Sequence, residues 1–178
     1  TVHDDMYLVR RDEQGEALEL WVEAEHREEV IGALAQRLSI AGSGDWHLAL
    51  VRSGAAEICE LTRDQFLPQM LGYEHSGALN FRKGCYTGQE IVARTHYKGT
   101  LKRHLQRFEY HADEAPLPGE ELREVSSERL AGTIVEVAPS AAGSWELLAV
   151  VADDTLESGL HTAAGNTLVL RPLARAMI

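Results

Sequence analysis

The stretch Lys83-Gly84-Cys85-Tyr86-Thr87-Gly88-Gln89-Glu90 holds the residues best suited to chemistry. It sets a lone cysteine between two glycines, just ahead of Ile91-Val92-Ala93-Arg94-Thr95-His96-Tyr97-Lys98-Gly99, which reads as a helix. A thiol near a cation, Lys83, and near a helix start is in a setting that favours the reactive thiolate. The same setting suits a bound anion. Gly84 and Gly88 let a ligand approach the backbone closely, or let the chain take positive φ. On the residues alone a bland alternative stays open: a small buried cysteine, with glycines that merely turn the chain.

That helix must position the stretch, and its ends carry signals. Thr87 as N-cap and Glu90 three residues on have the form of a capping box, and Tyr86 and Ile91 that of a hydrophobic staple. Lys98 falls in the last turn, where a cation suits the dipole, and Gly99 suits the C′ position. From Arg82 to Arg107 the chain has seven cations (Arg82, Lys83, Arg94, Lys98, Lys102, Arg103, Arg107) against one acid, Glu90. This local +6 sits in a chain of net charge −11, so the remainder carries −17. A basic segment on an acidic protein points to an anion site: a polyglutamate tail, a phosphate or a local RNA contact. The alternative is a solvated face paired with acids elsewhere in the fold.

With 178 residues and 44% apolar content the chain can build one large domain or two small ones around a real core. No apolar run has the length of a bilayer span, so no membrane partner is expected. Thr1 to Arg11 is polar and charged, unlike a secretory leader, and Cys59 and Cys85 make no disulfide framework, so a reducing, cytoplasmic setting is expected. The eight histidines are scattered, and no Cys or His cluster has metal-ligand spacing. A start at Thr1, in what already reads as mid-domain structure, gives the expectation of a piece of a longer protein.

Met6–Arg10 and Ala17–Val22 read as a hairpin turning at Asp12-Glu13-Gln14-Gly15. Glu25–Leu38 has Val30, Ile31, Leu34 and Leu38 at helix spacing, and Trp46–Val51 reads as a third strand. Phe66-Leu67-Pro68-Gln69-Met70-Leu71 is apolar but broken by proline, hence a short turn or helix with Phe66, Met70 and Leu71 in the core. Beyond Lys102, strands are expected at Leu105–His111, Glu121–Val125, Leu130–Ala138, Trp145–Val151 and Thr167–Leu170, a pattern of a small β-barrel or sandwich. The fold class is α+β, with a boundary near Gly99.

The eight residues from Lys83 to Glu90 closely resemble the signature of the YgfZ family, folate-binding proteins related to the glycine-cleavage T-protein, an aminomethyltransferase. A mitochondrial iron–sulfur maturation factor is in the same group. Phe66-Leu67-Pro68-Gln69 upstream, and Ile91-Val92-Ala93-Arg94 with Lys102-Arg103 downstream, reinforce the resemblance, which extends over the chain as a C-terminal portion. It implies that residues 1–98 are the later part of a T-protein-like folate-binding domain and residues 99–178 a C-terminal β-barrel domain. It implies tetrahydrofolate or a one-carbon derivative as ligand. Cys85 is then the key thiol, and Trp46, Lys83, Gly84, Tyr86, Gly88, Gln89, Glu90 and Arg94 are folate-site candidates. Trp46 stands where a folate-contacting tryptophan is expected, and its ring face can stack on a pterin. One departure stands out. T-proteins hold the pterin with a glutamate, and Leu50-Val51-Arg52-Ser53-Gly54 places Arg52 there, which cannot accept the pterin's amino protons.

The resemblance therefore implies an accessory protein rather than a conventional enzyme. It would support iron–sulfur enzymes or their assembly factors, with transient cluster contact and an effect on tRNA modification. The alternatives are a folate-dependent aminomethyltransferase, a direct tRNA-binding protein, and a purely structural module.

Overall fold

The computed structural model of the chain describes residues 2–3, 6–11, 17–75, 77–141 and 143–171. β1 (Val2–His3), β2 (Met6–Arg10) and β3 (Leu18–Val22) form an antiparallel sheet in that order. β2 and β3 pair from Met6 opposite Val22 to Arg10 opposite Leu18, the expected hairpin. The turn expected at Asp12-Glu13-Gln14-Gly15 lies outside the described residues. α1 (Arg27–Ala35) is shorter than the periodicity suggests, and none of its residues is buried. Its Val30, Ile31 and Leu34 line a groove of about 620 Å³ together with Leu20 and Val22 of β3.

Trp46–Val51 is not a strand. It is the middle of α2 (Ser43–Ser53). The carboxylate of Asp45 accepts the Gly42 N–H at 2.9 Å, which satisfies a free amide at the helix start. Leu48 and Val51, three residues apart, pack on one core cluster. Alternating and helical apolar patterns coincide over so short a run, and tertiary packing chose the helix. α2 lies close against the barrel: a Cβ on Gly44 would stand 3.2 Å from Cγ of Pro139. An irregular stretch then leads to α3 (Gln89–Lys98).

Six strands follow: β4 (Arg103–His111), β5 (Glu121–Glu124), β6 (Leu130–Ala141), β7 (Ser144–Ala152), β8 (Leu160–His161) and β9 (Thr167–Arg171). They close into a barrel in the order β4-β7-β6-β5-β8-β9. β9 returns to β4, with Leu168 opposite Tyr110 and Leu170 opposite Phe108. The fold is α+β with a C-terminal barrel. The run Leu147–Val151 is apolar without a break because β7 is buried on both sides. Leu147, Ala149 and Val151 join Phe108, Leu122 and Ile134 in one cluster, while Leu148 and Val150 join Val51, Leu71 and Leu105 in the other. Each fully buried leucine contributes about 1.5–3 kcal/mol by leaving water. Phe66 and Met70 pack on the second cluster and Leu71 is part of it, as the apolar segment implied. At Gly132 the strands approach so closely that a Cβ would meet Val150 O at 2.4 Å.

Candidate functional site

Cys85 lies in the loop before α3 and is exposed, which removes the reading of a buried structural cysteine. Lys83 does not stand free beside it: its Nζ lies 4.6 Å from the centre of the Tyr86 ring. The helix begins later than its signals suggest. Gly88, not Thr87, is the N-cap, with φ +85°, and no side chain caps the end, so the Thr87–Glu90 box does not form. Backbone closure serves instead: the N–H groups of Ile91 and Val92 both reach Gly88 O, at 3.1 and 3.2 Å. Positive φ is what glycine supplies there without strain. At the other end Gly99 is extended, not left-handed. Its requirement is space, since a Cβ would lie 2.9 Å from Thr95 O.

Lys83 and Tyr86 are thus in contact, and Gly88, Gln89, Glu90 and Arg94 follow on the cap and first turns of α3. Trp46 stands at the N-terminal turn of α2, with 37% of its surface exposed. Among the described residues no hydrogen bond, ion pair or ring contact joins Trp46 to the stretch from Lys83 to Arg94.

Arg52 is committed elsewhere. Its Nε and Nη2 donate to Oε1 of Glu146 on β7, at 3.0 and 2.6 Å, and fasten α2 to the barrel. Burial pushes the Glu146 carboxyl up, but the hydrogen bonds and charge of Arg52 outweigh it and hold the group below its usual range. Arg107 stands 3.8 Å from the other Glu146 oxygen. On the next strand Glu136 is buried, which pushes its carboxyl up, while the Glu57 amide donates to it at 3.0 Å.

Two features gave no signal in residue spacing. Gln69 is buried and its Nε2 donates to Val92 O at 2.6 Å, so the segment before the motif grips α3. Glu74 Oε1 bonds His96 Nδ1 at 3.0 Å, and Phe81 stacks on the same ring at 4.0 Å, with Tyr97 edge-on to it at 4.7 Å. Their partners are 22 or 23 residues away for the polar bonds, beyond any local pattern. Cys59, also exposed, is drawn below its ordinary pKa by the Thr62 hydroxyl, which can donate to its sulfur. Among the described residues no group of three or more His, Cys, Asp or Glu comes together as a metal set, and no helix is long and apolar enough to cross a membrane.

No protein-family model matches the chain. Curated relatives do. The tRNA-modifying protein YgfZ of Edwardsiella ictaluri (strain 93-146) is 36% identical over 134 residues, 74% of this chain and 40% of that protein. Its namesake from Cronobacter sakazakii (strain ATCC BAA-894) is 30% identical over 157 residues, 85% of this chain and 48% of that protein. The chain belongs to the YgfZ family. A third YgfZ, from Yersinia pestis (strain Pestoides F), is 30% identical over 159 residues, with 86% and 48% covered. The chain thus spans less than half the length of these YgfZ relatives.

Proposed function

We propose that this chain is part of a folate-binding accessory protein that serves tRNA modification by maintaining iron–sulfur enzymes, with Cys85 as its key group. The observation that carries the reading is the exposed Cys85 thiol in the Lys83–Glu90 loop, on a protein whose relatives are named tRNA-modifying. An exposed thiol is available to a partner as nucleophile, redox group or transient ligand. One cysteine cannot hold a cluster, so the other ligands would come from the iron–sulfur enzyme or assembly factor. The cytoplasm, where thiols stay reduced, is the fitting place.

The residues fit tetrahydrofolate by chemistry. Trp46 offers a third of its surface for pterin stacking, and Arg94 is exposed, with no carboxylate partner among the described residues, to meet a glutamate tail. Lys83, Gly84, Tyr86, Gly88, Gln89 and Glu90 would form the loop beside the ligand. Folate, when bound, brings a one-carbon unit. Aminomethyl transfer of the T-protein kind is disfavoured, because the pterin-holding carboxylate is replaced by Arg52 and that arginine is bound to Glu146. Residues 1–98 would belong to the folate part and residues 99–178 to the barrel part. Titration of the whole protein with tetrahydrofolate, read by tryptophan fluorescence, tests the ligand. Saturable quenching that Trp46→Ala weakens at least tenfold is expected; no binding, or binding indifferent to Trp46, would overturn the assignment.

A further inference from the structure

The cations of the basic segment divide in two. Arg107 is partly buried beside Glu146. Arg82, Lys83, Arg94, Lys98, Lys102 and Arg103 are exposed, and among the described residues none of the six has a carboxylate within ion-pair distance. Elsewhere Arg52, Arg123, Arg129 and Arg171 each have an acidic partner. Among the described residues, the acid pairing that the sequence left open is not found for these six. In a chain of net charge −11, six cations in 22 consecutive positions, none with a carboxylate partner among the described residues, form a local attraction for anions.

α3 sits within this run and adds an aromatic. Arg94, Tyr97 and Lys98 are three and four residues apart, so they share one face of the helix. Tyr97 is 69% exposed and Ile91, one turn back, 60%. Tyr97 is also held. His96, anchored by Glu74 and stacked on Phe81, meets the Tyr97 ring edge-on, and Gln69 fixes the helix through Val92 O. A positioned ring with a cation one turn back and another next to it in the chain is an arrangement that takes a base on the ring face and phosphates nearby.

We propose that this face of α3, with Arg82 and Lys83 before it and Lys102 and Arg103 after it, is a contact for single-stranded or looped RNA. Arg94 and Lys98 meet phosphates, and Tyr97 stacks on an unpaired base. An acidic protein surface would match the charges but has no use for the held ring. The acidic remainder repels a polyanion, so contact stays confined to this segment and at most six phosphates are neutralised. The proposal goes beyond the folate reading, shares Lys83 and Arg94 with it, and is tested in the absence of folate.

The test is fluorescence anisotropy of the whole protein with a labelled single-stranded RNA across a salt series. Six phosphate contacts give a slope of about −4 in log K against log salt. Arg94→Ala with Lys98→Ala is expected to flatten that slope by about 1.4. Tyr97→Ala is expected to lower affinity about tenfold at unchanged slope, within the range for one stacked base, and Tyr97→Phe to retain it. Arg123→Ala, a paired cation on the barrel, is the control and should change neither. Absence of salt-sensitive RNA binding, a slope the double variant leaves intact, equal loss from Tyr97→Phe and Tyr97→Ala, or equally tight binding of a polyglutamate peptide would each overturn the proposal.

Discussion

Arg52 is tied into the fold by its guanidinium. In the T-protein pattern its position serves a ligand; here its guanidinium ties α2 to β7 through Glu146, whose side chain is 10% exposed. Arg52→Ala leaves that carboxylate without its main donor and is expected to cost about 1–3 kcal/mol of stability. The pH dependence follows from the sign of the Glu146 shift. A carboxyl held below its ordinary range in the folded state adds stability above that range, and the gain is lost as pH falls through the depressed value. Thermal unfolding from neutral pH into the acid range should therefore show the wild type losing its advantage over Arg52→Ala on acidification; a constant gap would refute the pairing. The sequence exposed Arg52 as a departure but not its partner, because the two residues are 94 positions apart and no local pattern spans that distance. The loop before α3 that carries Cys85 was legible for the opposite reason: its neighbours in sequence mark it.

At the scale of elements, glycines decide where α3 and the barrel can exist. Gly88 has φ +85° with open space around it, so Gly88→Ala places an L-residue in the left-handed region at about 1–2 kcal/mol and loosens the start of α3. Gly132→Ala instead drives a methyl into Val150 O and Val151 in the barrel wall. Hydrogen exchange should separate them: faster exchange confined to α3 for Gly88→Ala, and faster exchange through β6 and β7 for Gly132→Ala. The same exchange pattern in both variants would contradict this division. The barrel strands were legible because long apolar runs alternate with turn residues, and β4, β6 and β7 lie within a few residues of expectation. α2 was not legible, since six residues from Trp46 to Val51 fit both periods and the choice lay with Leu48 and Val51 packing on the barrel. The cap of α3 misled for a related reason: Thr87 and Glu90 have the right types, but backbone closure on Gly88 took the place of their side chains.

On the scale of the whole molecule, a closed barrel braces one helix, α2, and its β4 amide at Leu105 bonds Met70 O at 2.9 Å in the segment that also grips α3. The motif loop thus rests on a support that reaches back to the barrel. Strand spacing left barrel and sandwich open, because β8, the link between β5 and β9, is only two residues long, and it was the family resemblance that implied the barrel. The resemblance to the YgfZ family was readable from eight residues, and the curated relatives bear it out over 74% to 86% of the chain. The proposed role of Cys85 in tRNA modification is open to a direct test. The direct measurement is quantification of tRNA nucleosides made by iron–sulfur enzymes, in cells lacking the protein and supplied with either the whole wild-type protein or its Cys85→Ala variant at matched levels. Restoration by the wild type and failure by Cys85→Ala are expected; full restoration by Cys85→Ala would rule out the role proposed for the thiol.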